Sequence, residues 1–108
     1  SGGADEAPDP FKTPVANLCP NATWAAGYYI GELMPLKPEQ YRSAVVVGDD
    51  TNVRDGAGFE SRTVLTLDRN APVTIVGEAW DSGCNQWMQV QINSKRHWMN
   101  GNTLRLGS

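Results

Sequence analysis

Residues 72–92 read PVTIVGEAWDSGCNQWMQVQI, and the stretch opens with the longest strand-like run of the chain. The run from Pro72 to Trp80 is rich in Val, Ile and Thr, residues that fit a pleated surface. Asp81–Asn85 (DSGCN) then interrupts it with residues that turn a chain, and QWMQVQI (86–92) returns in β-compatible form. The pattern predicts an antiparallel hairpin. In its second arm Met88, Val90 and Ile92 alternate with Trp87, Gln89 and Gln91. A period of two places the first three on one face and the tryptophan and glutamines on the other.

AVVV (44–47), TNV (51–53) and TVLTL (63–67) precede the hairpin, with turn residues Asp68, Arg69 and Asn70 before Pro72. After it, a turn at 93–95 leads into RHWM (96–99), and Thr103–Leu106 closes the chain. No window of this half carries a 3.6-residue period. Short strands at this spacing predict an all-β fold, a small barrel of five to seven short strands.

The first forty residues read differently, with prolines at 8, 10, 14, 20, 35 and 38 and glycines at 27 and 31. SGGADEAPDP is small, acidic and proline-containing, so residues 1–16 are expected to form a flexible leader or tether. Such a tether also suits a lipid-anchored protein whose anchoring cysteine lies upstream. By contrast, Trp24, Tyr28, Tyr29, Ile30 and Leu33 are too apolar to be left in water. Residues 17–43 are therefore expected to pack as an irregular extension on a barrel spanning 44–108, covering an open sheet edge.

Cys19 and Cys84 are the two cysteines, with no CxxC spacing. A disulfide between the extension and the hairpin loop is the simplest use for them. It would contribute roughly 4 kcal/mol in the chain-entropy model and would place the protein in an oxidising, extracytoplasmic compartment. The alternative is a pair of unrelated buried thiols in a cytosolic protein. Nine Lys+Arg against 12 Asp+Glu, a net charge of −3, give no basic stripe, which argues against nucleic-acid partners. No apolar run approaches the length of a membrane span.

The string TNVRDGAG (51–58) raises the question of a phosphate-binding loop. Such a loop opens onto a helix, whereas FESRTVLTL after Gly58 is β-rich, so Gly56 and Gly58 are read as bending the chain. TNVRDGAG instead resembles the L-N-V-R-x-G-P-G signature of bacterial SH3-like (SH3b) domains. VLTLDRNAPVTIVGEA, QWMQVQI and RHWMNGNTLRL resemble the family's later segments, in order, so that the resemblance covers about residues 44–106. The chain departs from the family pattern at Ala57, Asn70-Ala71, Gln86 and His97. The resemblance implies an SH3-like barrel and a module recognising cell-wall peptide or peptidoglycan; the alternative is a protein-interaction or structural subunit of an envelope assembly.

Catalytic residues are not evident. His97 is the one histidine and is expected as an exposed strand residue; Asp49, Asp50, Asp55 and Glu60 lack calcium-loop spacing and read as a solvated acidic loop. No enzyme activity, cofactor or metal is expected, and the chain is read as a monomer. The candidate ligand-binding residues are Phe59, Trp87, Arg54 and Trp80, aromatic and cationic groups suited to a groove for an extended peptide or glycan. Arg54 is expected to face solvent or pair with an acid such as Asp55.

Overall fold

The computed structural model describes residues 12–22 and 27–107. Trp24 and residues 1–11 of the expected leader lie outside the described residues. In chain order the elements are the short helix α1 (Val15–Leu18), β1 (Met34–Pro35), a 3₁₀ turn at Pro38–Gln40, β2 (Arg42–Val46), β3 (Thr51–Arg54), β4 (Thr63–Leu67), β5 (Pro72–Trp80), β6 (Gln86–Ile92), β7 (Lys95–Asn100), a second 3₁₀ turn at Gly101–Thr103, and β8 (Leu104–Leu106). The chain is all-β in class, and each strand expected from the sequence forms within a few residues of its expected bounds.

All pairings are antiparallel, along the path β4-β3-β7-β6-β5-β2-β8, with β1 added to β5. Of the eight strands among the described residues, β2 to β8 make up the five to seven expected, and the extension contributes β1. The sheet does not close into a full barrel, since no ladder joins β4 to β8. It nonetheless curls. Val64, Leu65 and Leu67 at one end and Leu104 at the other pack on one core of Ala44, Val46, Val53, Val73, Ile75, Val90 and Met99.

The 72–92 hairpin forms as expected, with one irregularity. Ile75 pairs with Val90 and Gly77 with Gln89, so Val76 is an extra residue on β5. This bulge shifts the alternation. Val73 and Ile75 face the core, while beyond the bulge Gly77 and Ala79 share the face of their partners Gln89 and Trp87. A bulged nine-residue strand outruns its neighbour: β2 covers the edge of β5 from Pro72 to Ile75, and β1 covers Gly77 and Glu78 beyond it. The extension thus fills an edge that would otherwise expose unpaired backbone.

A second, smaller core fixes the extension. Val15, Cys19, Ala22, Met34 and Trp80 are buried together, with Tyr28, Ile30 and Cys84 partly buried against them. Backbone bonds from Gly31 N to Trp80 O and from Leu36 N to Val76 O join extension to sheet, and a Cys19–Cys84 disulfide spans 65 residues of sequence. The expected boundary at residue 17 is too late. Val15 is fully buried and its N–H donates to Tyr28 O, so packing begins inside the segment read as leader. The barrel boundary at residue 44 also moves, since β2 begins at Arg42.

Candidate functional site

Three of the four candidate residues meet at one place. A pocket of about 260 Å³ is lined by Asp49, Asp50, Thr51, Asn52, Arg54, Phe59, Trp87, Asn100 and Thr103. It lies where the β2–β3 turn, the 55–62 loop, the start of β6 and the end of β7 converge. Register explains the convergence: Trp87 pairs with Asn100, and Arg54 pairs with Trp98 two residues before it, so all four share one face of the sheet. Trp80 does not join them. It is buried in the second core, so its place among the candidate binding residues is corrected to a packing role.

Trp87 lies on the face that the alternation assigns to it, but that face is covered, and the residue is only 1% exposed. The ring of Phe59 meets it edge-on at a centroid distance of 4.9 Å and an interplanar angle of 71°. Its indole N–H is also committed, donating to Asp81 Oδ2 at 2.9 Å. Trp87 therefore forms the floor of the pocket and offers no hydrogen bond to a ligand. Phe59 stands above it with 57% of its surface exposed, an unusual place for a large apolar ring in a loop.

The expectation that Arg54 faces solvent or pairs with Asp55 is corrected. Its Nη1 donates to Phe59 O at 2.9 Å and Ser61 O at 2.8 Å, holding the loop closed from within, and the guanidinium lies 5.9 Å from the Phe59 ring centroid. Asp55 pairs instead with Arg62, at 3.4 Å on an exposed surface. In the same loop Gly58 has φ +136°, a conformation that side-chain-bearing residues rarely adopt, so its role in bending the chain is physical. Gly56 needs no positive φ, but a Cβ there would stand 2.9 Å from Ser61 Oγ.

Asp81 organises the hairpin loop behind the floor. Its Oδ1 accepts from the backbone N–H groups of Gly83 and Asn85, both at 2.9 Å, and Asn85 Nδ2 bonds both carboxylate oxygens at 3.1 Å. Burial pushes the Asp81 carboxyl up, but the bonds from Trp87, Asn85 and Gly83 outweigh it and hold the group below its ordinary value.

Sequence reasoning passed over Asn100 and Thr103. Asn100 caps the 3₁₀ turn through Asn102 N to its Oδ1 at 2.9 Å, and Thr103 Oγ1 donates back to Asn100 O at 2.6 Å. The signal was the NGNT string, an Asn-led turn placed directly before the last strand. Of the acidic loop, Asp49 and Asp50 reach the pocket while Asp55 and Glu60 do not line it; no cluster of metal-ligating groups occurs among the described residues. His97 is half-buried in β7 opposite Val90.

A larger cleft, about 380 Å³, is lined by Leu36, Arg42, Ile75, Glu78, Gln86, Met88 and Leu106 and gathers none of the predicted site residues. Comparison with family models, curated proteins and solved structures finds no match for the chain.

Proposed function

We propose that this chain is a non-catalytic binding module of the bacterial SH3-like type, acting outside the cytoplasm, that holds cell-wall peptide or peptidoglycan in the Phe59–Trp87 pocket. The observation that carries the reading is the exposed Phe59 ring, held in place by a clamp it does not need for the core. Arg54 draws the carbonyls of Phe59 and Ser61 inward, which presets the ring over Trp87. Preorganised aromatic surface beside polar groups is the usual composition of a binding pocket. The Cys19–Cys84 disulfide supports an oxidising compartment.

A second reading is a protein-interaction or structural subunit of an envelope assembly. It is favoured by the burial of Trp87, which leaves the pocket shallow and makes Phe59 a single anchor of the kind protein partners seat in a complementary cleft. Retention of the purified protein on insoluble peptidoglycan sacculi separates the two. Wall binding predicts retention by the wild type and its loss in Phe59→Ala, a substitution at an exposed ring that leaves the core intact. Sacculi that retain no wild-type protein favour the envelope partner.

A further inference from the structure

We infer that the pocket selects a peptide bearing a free primary amine, seated between Asp49 and Asp50, with a peptide carbonyl of the same ligand on the side-chain NH₂ of Asn100. This inference rests on the proposal that the pocket is a peptide-binding site. It begins from Asn100, which is 91% buried, since only 9% of its surface is exposed. Its Oδ1 accepts the N–H of Asn102, which fixes the orientation of the amide. The NH₂ group then finds no acceptor among the described residues, yet it is not sealed from solvent, and the residue lines the pocket. A donor on a mostly buried side chain that is open to solvent at a pocket is a place where water can give way to an incoming acceptor.

Beyond Asn100, the Asn52 amide and the Nε and Nη2 of Arg54 are the donors left in the lining, and its other polar groups present acceptors. Thr51 Oγ1 spends its proton on Gly48 O, Thr103 Oγ1 on Asn100 O, and Trp87 Nε1 on Asp81, so the two hydroxyls present only lone pairs and the indole presents none. Asp49 uses one carboxylate oxygen, Oδ1, to accept from Arg69 N, and no side-chain bond engages the Asp50 carboxylate among the described residues. Arg54 is the single cation of the lining, and its Nη1 is committed to Phe59 O and Ser61 O. Two carboxylates against one guanidinium leave the lining net negative by one charge. Inward-facing lone pairs and a net negative lining suit a cationic group on the ligand, and the Asn100 NH₂ suits a carbonyl of the same ligand. A primary ammonium supplies three donors and a positive charge at one atom, and a peptide supplies the carbonyl. The exposed Phe59 ring gives the aliphatic stem of such a side chain an apolar wall.

The test uses the full chain labelled with ¹⁵N and two soluble probes: the wall stem peptide N-acetyl-L-Ala-γ-D-Glu-L-Lys-D-Ala, whose single amine is the lysine ε-amine, and the same peptide acetylated at that amine. The expected result is chemical-shift change at the Asn100 side-chain NH₂ and at the amides of residues 49–52. The free amine should bind about tenfold tighter than its acetylated twin, in line with a charge-assisted hydrogen bond. In the variant Asp49→Asn/Asp50→Asn the two peptides should bind alike. The amide that replaces the Asp49 carboxylate keeps an oxygen to accept from Arg69 N, and both positions are exposed or nearly so, so the variant retains the fold, as its spectrum verifies. Equal affinity of the two peptides for the wild type, with shifts at the pocket, overturns the amine selection and leaves the peptide pocket standing. Preference for the amine that persists in the variant also overturns it. Shifts absent from the pocket with both peptides overturn the pocket reading and this inference together.

Discussion

The Asp81 carboxylate accepts the indole N–H of Trp87 at 2.9 Å, joining the pocket floor to the loop that carries Cys84. The same carboxylate gathers Gly83 and Asn85, so one side chain sets both the shape of the hairpin loop and the orientation of the buried ring. Asp81→Asn replaces an acceptor oxygen with an NH₂ that faces either the Trp87 indole N–H or the backbone N–H groups of Gly83 and Asn85, each of which bonds a single Asp81 oxygen. The expected cost is about 1–3 kcal/mol, the desolvation of an unsatisfied buried donor. Urea unfolding followed by tryptophan fluorescence measures it, and an unchanged midpoint would show that the hub is not structural.

The lowered Asp81 pKa fixes a direction with pH. The folded state holds the ionised form more readily than the unfolded chain does. Its contribution is therefore complete above the ordinary carboxylate range and declines as pH falls from there through the folded value. The stability gap between wild type and Asp81→Asn should stay level above about pH 5 and shrink in more acid solution. A gap that widens on acidification would contradict the assignment.

Reducing the Cys19–Cys84 disulfide should cost about 4 kcal/mol, as expected for a closed loop spanning 65 residues of sequence. The loss should be uneven. The smaller core of Val15, Ala22, Met34 and Trp80 depends on the tie, while the core of Val46, Val53, Val90 and Met99 has none of its own. Hydrogen exchange in Cys19→Ser/Cys84→Ser should accelerate first at Gly31 and Leu36, whose N–H groups bond to β5, and last at β6. Uniform acceleration would mean that the two cores unfold as one.

Arg54→Ala removes the donor to two carbonyls, and the loop should loosen around Phe59. Charge-assisted bonds at a half-buried site predict a loss of about 1.5–3 kcal/mol. Arg54→Lys should recover little of it, since a lysine ammonium on a flexible stem does not reproduce the fixed fork of the guanidinium. Thermal unfolding of both variants, with the amide shifts of residues 55–62, checks this; full recovery by lysine would mean that charge alone holds the loop.

The strands were legible because period-two alternation and turn residues are local signals: Met88, Val90 and Ile92 declare one face of β6 without reference to anything distant. The site was only half legible. Phe59, Arg54 and Trp87 could be picked out by residue type, but their burial depended on register between segments far apart in sequence. Trp87 sits beneath a loop some thirty residues away, and alternation says which face a side chain takes without saying what covers that face. Arg54 was misread for a related reason. Its partners are backbone carbonyls, which no residue type announces. The bulge at Val76 was likewise silent, so the transfer of Gly77 and Ala79 to the Trp87 face could not be foreseen.

Gly77 is where the extension presses on the sheet. A Cβ built there would lie 2.8 Å from Leu33 Cδ1, 3.1 Å from Gln89 Oε1 and 3.2 Å from the carbonyl oxygen of Met34. Its φ is not left-handed, so the obstacle to a side chain is contact and not backbone strain. Gly77→Ala should destabilise the protein by about 1–3 kcal/mol through overpacking. Part of the clash involves the end of a flexible side chain and part involves backbone. Leu33→Ala should therefore rescue Gly77→Ala incompletely, making the double variant more stable than the sum of the single losses predicts. A double-mutant cycle in urea reads the coupling directly. Strict additivity would show that Leu33 swings clear unaided, and that the Met34 carbonyl, paired to this strand through β1, is what excludes a side chain at residue 77.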